Sequence, residues 1–117
     1  MSRNTLIYLF SFFMFTMVAC NAQLPANDPA EVMLVDVRTP AEFAEGSVPD
    51  AVNIPLDRIE DRISEFDKDK EIIVFCRSGN RSAQALSILK DHGFTNVRNG
   101  GTWQQVDQAI KSNKNHK

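Results

Sequence analysis

Across residues 30–111, short apolar runs alternate with amphipathic stretches, with no internal repeat and no low-complexity tract. Residues 33–37, apolar but for Asp36, read as a strand. The tetrapeptide Thr39-Pro40-Ala41-Glu42 follows, with an N-cap threonine, a proline at the first helical position and a glutamate at the third, as a capping box requires. This predicts a short helix ending at Gly46. Residues 51–54 read as a second strand closed by Pro55. Leu56, Ile59, Ile63 and Phe66 then mark one face of a helix whose other side is charged and solvated. Residues 72–75 are continuously apolar and mostly β-branched, the pattern of a central strand buried on both faces. That strand runs into Cys76 and the polar loop Arg77-Ser78-Gly79-Asn80-Arg81. From Ser82 onward, Ala83, Leu86 and Leu89 recur at helical spacing until Gly93, which suits a C′ position. Residues 96–98 make a last short strand before Gly100-Gly101. Thr102 and Gln105 box the start of a final helix that carries Trp103, Val106 and Ile110. Strands and helices in alternation specify an α/β domain.

The first 19 residues break this pattern. Arg3 precedes a run over residues 5–18 that is almost entirely apolar. At about 14 residues it is short of the roughly 20 that a permanent membrane-spanning helix needs, so it reads as a cleaved secretory signal. The segment Met17-Val18-Ala19-Cys20 resembles the box of bacterial lipoproteins, with methionine where leucine is usual, which implies a lipidated Cys20 once the signal is removed. The expected organisation is a lipoprotein-type signal over 1–19, a Pro- and Asn-containing tether over 20–29, a domain over 30–111 and a flexible tail over 112–117. The expected location is outside the cytoplasm, anchored by lipid to a bacterial membrane and facing the periplasm or the cell exterior.

With 117 residues, 43% of them hydrophobic and 24% charged, the chain has room for one packed domain. Its net charge is −2 and its basic residues are interspersed with acids, so nothing in it tracks a phosphate backbone and nucleic acid is excluded as a partner. A monomer is the favoured state. Two cysteines in an exported chain ordinarily suggest a disulfide. Acylation of Cys20 would leave Cys76 as a lone thiol, either buried and inert or reactive, and the count alone favours the inert reading. Position adds more. The order strand, cysteine, short loop, helix places Cys76 at the carboxyl end of a parallel strand, beside a helix N-terminus whose free N–H groups attract anions. There the amides, Arg77 and Arg81 would stabilise a thiolate and a second anion, and Gly79 can take the left-handed conformation that turns amides inward. Asp36 and Arg38 admit two readings, an acid with an anion binder or a structural pair bracing the loop, and the second is favoured. His92 and His116 stand in no position for a general base, and one thiol with two distant histidines makes no metal site.

Four segments, in order, resemble the rhodanese domains. Cys76-Arg77-Ser78-Gly79-Asn80-Arg81-Ser82 is similar to their active loop, and Asp36-Val37-Arg38-Thr39-Pro40-Ala41-Glu42-Phe43 to their opening signature. Ala51-Val52-Asn53-Ile54-Pro55 and Asn99-Gly100-Gly101 with Trp103 follow in the family's order. The resemblance implies an open parallel sheet of about five strands, flanked by helices on both faces. It also implies persulfide chemistry at Cys76, with Arg77, Ser78, Gly79, Asn80, Arg81 and Ser82 around the substrate. The partners implied are a small anionic sulfur donor and a thiophilic acceptor, with no cofactor. Two departures stand out: Ser47 occupies a position where many members have a histidine, read as structural, and Asp50 replaces a glycine after Pro49 and is expected to alter a turn. Two other functions are compatible with such a domain. Related cell-cycle phosphatases and arsenate reductases place five residues between cysteine and arginine, whereas four lie between Cys76 and Arg81, a tighter ring that suits sulfur better than a phosphoryl group. A non-catalytic binding or persulfide-carrier module is the other alternative.

Overall fold

The computed structural model describes residues 31–116; the expected signal and tether, Cys20 included, lie outside the described residues. Four strands, β1 (Val32–Asp36), β2 (Val52–Asn53), β3 (Glu71–Cys76) and β4 (Val97–Thr102), form one parallel sheet in the order β2-β1-β3-β4. The helices are α1 (Pro40–Glu45), α2 (Asn80–Asp91) and α3 (Trp103–Asn115). The α/β fold with helices on both faces is therefore present. Among the described residues the sheet has four strands, the four that the hydrophobic pattern marks, against about five implied by resemblance.

Strand β3 is central, and its alternation divides the core in two. Ile72, Val74 and Cys76 face one layer with Val35, Val37, Ala85, Leu89 and Phe94, while Ile73 and Phe75 face the other with Val48 and Val106. Both faces are covered, which is why the run has no polar alternation. Each such fully buried side chain contributes roughly 2 kcal/mol of transfer free energy, so β3 is the best-anchored element of the molecule.

Local capping works as the sequence indicates. Thr39 and Glu42 form a reciprocal capping box at α1, and Thr102 and Gln105 form one at α3. Three differences from expectation have physical causes. The helix expected through residues 56–66 is two 3₁₀ turns, Leu56–Arg58 and Ile63–Glu65, separated at Arg62 by backbone that is not helical. A three-residue turn brings positions i and i+3 to the same side, so Leu56 with Ile59 and Ile63 with Phe66 still reach the core. Arg62, tied to the Asn53 carbonyl and to Glu65, occupies the break. Strand β4 continues past Arg98 to Thr102 by means of a bulge: Asn99 pairs with Val74, but Gly101, not Gly100, pairs with Phe75. A Cβ on Gly100 would lie 2.6 Å from Val106 and 2.9 Å from Ile73, so only glycine fits there. The last helix runs on to Asn115, into the stretch expected as a flexible tail.

Asp50 has φ 67, the one left-handed non-glycine residue among those described. Glycine adopts this conformation freely, and aspartate tolerates it at some cost.

Candidate active site

Cys76 ends β3 with no exposed surface. Placing a sulfur there is possible because the loop that follows folds back over it. Gly79 takes the left-handed conformation (φ 92) and serves as N-cap of α2, and its N–H donates to Cys76 Sγ at 3.0 Å. Buried Ser82, on the first turn of α2, places its Oγ 3.5 Å from the same sulfur. Burial pushes the thiol up. The Ser82 hydroxyl and the backbone N–H groups of Ser82, Ser78 and Gly79 act in the opposite direction and together prevail, holding it at about 7 against an ordinary 9.0. The site therefore favours a thiolate near neutral pH through dipoles that are fixed before any substrate arrives.

The two loop arginines differ. Arg77 is exposed, as are Ser78 and Asn80, and Arg77 makes no hydrogen bond or ion pair among the described residues. Arg81 is bidentate to Glu42, with Nη1 donating to Oε1 at 2.7 Å and Nη2 to Oε2 at 3.0 Å. Those hydrogen bonds hold the Glu42 carboxyl down at about 2. Arg81 keeps its charge in this pair, and the Cys76 thiolate adds to what holds it. A pocket of about 440 Å³ lies beside Arg81, lined by Val37, Thr39, Pro55, Leu56, Asp57 and Arg81, and Cys76 is not part of its lining.

Asp36 and Arg38 sit at the end of β1, the strand beside β3. Both are buried, and they satisfy each other: Arg38 Nη2 donates to Asp36 Oδ2 at 2.6 Å, and Arg38 Nε lies 2.9 Å from Oδ1. Ser47 Oγ donates to Asp36 Oδ2 at 2.7 Å, and Arg38 Nη2 to the Gly46 carbonyl at 2.7 Å. The guanidinium also lies over the ring of Trp103, 5.4 Å from its centroid. The Asn53 amide closes the cluster by donating to the Asp36 and Arg38 carbonyls. Asp36 and Arg38 thus form a buried ion pair that joins β1, the turn after α1, and the start of α3.

Sequence reasoning missed three side chains of this region. Glu42 was legible as a helix-capping residue, but its partner Arg81 lies 39 positions away. Ser47 was legible only as the absence of histidine. Asn99 was legible as part of a motif, yet its side chain reaches Ser82 and Gly79. None of these contacts leaves a local periodic trace.

Comparison with known proteins agrees with this architecture. The family model of the rhodanese-like domain matches residues 20–101. A sulfurtransferase of Allochromatium vinosum is 47% identical over 72 residues, spanning 62% of this chain and 67% of that protein. A putative mitochondrial thiosulfate sulfurtransferase of Schizosaccharomyces pombe is 33% identical over 123 residues, spanning 93% of this chain and 86% of that one. Among solved structures, a rhodanese with anions from E. coli superposes with a TM-score of 0.60 at 36% identity, covering 63% of this chain and 89% of the other. With motifs, sheet order and relatives in agreement, the chain belongs to the rhodanese-like domain family.

Proposed function

We propose that this protein is a thiosulfate sulfurtransferase that carries sulfur as a persulfide on Cys76. The observation that supports this best is the sulfur itself, buried at a strand end yet facing the Gly79 N–H and the Ser82 hydroxyl. The thiolate attacks the outer sulfur of thiosulfate. A new S–S bond forms, the old one breaks, and sulfite leaves with the bonding pair. Cys76–S–S⁻ remains, and a thiophile such as cyanide or a thiolate then attacks its terminal sulfur and regenerates the thiolate. The donors around the sulfur serve the thiolate and the persulfide alike. Arg81 and the exposed Arg77 attract the dianion, the loop from Arg77 to Ser82 lines its approach, and the Asp36–Arg38 pair braces the strand end. The four-residue interval between Cys76 and Arg81 favours sulfur transfer over phosphoryl transfer. In the same reading, Cys20 is acylated and tethers the domain to a membrane outside the cytoplasm.

The direct test treats the protein with thiosulfate and reads its mass. One added sulfur atom on Cys76 is expected, with none on Cys76→Ser, which should also lose thiosulfate:cyanide activity while keeping its melting temperature. A serine variant that still turns over would refute the mechanism, and turnover of an aryl phosphate assayed in parallel would favour the phosphatase reading.

Arg81→Ala removes a positive charge and so leaves the Glu42 carboxylate uncompensated, which opposes a dianionic donor. The thiosulfate KM should rise roughly tenfold, with a smaller rise for monoanionic mercaptopyruvate. Equal losses on both donors would mean that Arg81 only shapes the loop.

Cys20→Ala should leave the purified domain active but shift it from the membrane fraction to the soluble one. Wild-type protein recovered soluble, with no acyl mass on Cys20, would refute the anchor.

A further inference from the structure

Asn99 is the last residue of β4 in register with β3 before the bulge, and its side chain reaches the back of the active loop. The orientation of that amide is fixed by its neighbours. The Gly101 N–H can only donate, and it meets Oδ1 at 2.9 Å; the Gly79 carbonyl can only accept, and it meets Nδ2 at 3.1 Å. Asn99 Oδ1 is also 2.6 Å from Ser82 Oγ. Ser82 has one hydroxyl proton and three acceptors within reach: Asn99 Oδ1 at 2.6 Å, the Gly79 carbonyl at 3.1 Å and Cys76 Sγ at 3.5 Å. Asn99 is the nearest of them. While Cys76 is a thiol, its S–H donates to Ser82 Oγ and the Ser82 proton rests on Asn99. When the thiol ionises, the Ser82 proton has to turn to the sulfur, away from Asn99. Throughout, Nδ2 holds Gly79, whose N–H is the closer donor to the sulfur at 3.0 Å.

We propose that Asn99 is a positioning residue for Cys76, setting through Gly79 and Ser82 how readily the sulfur gives up its proton. This rests on the reading of Cys76 as the nucleophile. The charges near the sulfur are Arg81 on α2 with its partner Glu42 on α1, Asp36 and Arg38 at the end of β1, and Arg77 in the loop. Asp57 lines the same pocket as Arg81. From residue 99 to 102, β4 brings only neutral groups, and α3 opens with Trp103. Asn99 thus acts through hydrogen bonds and not through charge.

Two substitutions separate its two ends. Asn99→Ala removes one donor to the Gly79 carbonyl, which keeps the Ala83 N–H at 3.0 Å, and also releases the Ser82 proton, so the effects partly cancel; the loosening of Gly79 prevails and the thiol midpoint should rise by about half a pH unit. Asn99→Asp sets an oxygen against the Gly79 carbonyl, keeps the competitor for the Ser82 proton and adds a negative charge, so the rise should be about one unit or more. The measurement is the rate of iodoacetamide alkylation of Cys76 in the full chain against pH, read on the Cys76 peptide by mass. The expected order of midpoints is wild type, alanine, aspartate, with a common plateau rate at high pH. A midpoint that stays or falls in Asn99→Ala, or a changed plateau with a fixed midpoint, overturns the proposal. Alkylation reports the proton on sulfur and not sulfur transfer, so a failed transfer assay leaves this result standing, and the reverse also holds.

Discussion

A sulfur anion with no exposed surface, at the end of a strand buried on both faces, is the constraint on which the rest of the site depends. Taken alone, such burial drives a thiol to remain neutral. The fold counters it with short-range donors, and those donors dictate local structure. Gly79 must be left-handed for its N–H to face the sulfur, and that same residue caps α2. The first turn of α2 then brings Ser82 beneath Cys76, and β4, in register with β3 as far as Asn99, sets that side chain against Ser82 and Gly79. Strand, loop, helix and neighbouring strand are adjusted to one atom.

Around this centre lies a shell of ion pairs that hold geometry. Asp36 and Arg38 are both buried, and a pair of that kind is weak support for stability unless its remaining hydrogen-bonding groups are met. Here the Ser47 hydroxyl, the Gly46 carbonyl and the Arg38 backbone N–H meet them, and no buried side-chain nitrogen or oxygen among the described residues lacks a partner. The Ser47 hydroxyl is one of these donors, 2.7 Å from the Asp36 carboxylate. The Arg81–Glu42 pair is about a quarter to a third exposed, so its value in water is small. It holds a cation beside the pocket mouth in a defined direction.

Much of this was legible in sequence, and the boundary is physical. The strand at 72–75, both capping boxes, the left-handed Gly79 and the sheet class follow from burial period and backbone sterics, which act over a few residues. The stretch 56–66 shows the limit of periodicity, because spacings of three and four suit consecutive 3₁₀ turns as well as an α-helix, and packing decides. Contacts such as Glu42 with Arg81 or Asn99 with Ser82 depend on the sheet order, which brings distant segments together after the local elements exist. Gly100 was visible as a glycine, but the reason for it, the side chains of Ile73 and Val106, was not.

The thiol's value in the fold, about 7, lies below its ordinary 9.0, so the stabilisation of the thiolate is fully present above pH 9 and is lost as pH falls through 7. The chemistry should carry the same signature. The single-turnover rate of persulfide formation from thiosulfate, followed by mass as a function of pH, measures it directly. The account predicts a rate that rises with a midpoint near 7 and levels off above it. A rate that climbs only around pH 9, as for an ordinary thiol, would contradict the claim that the loop prepares this sulfur for attack.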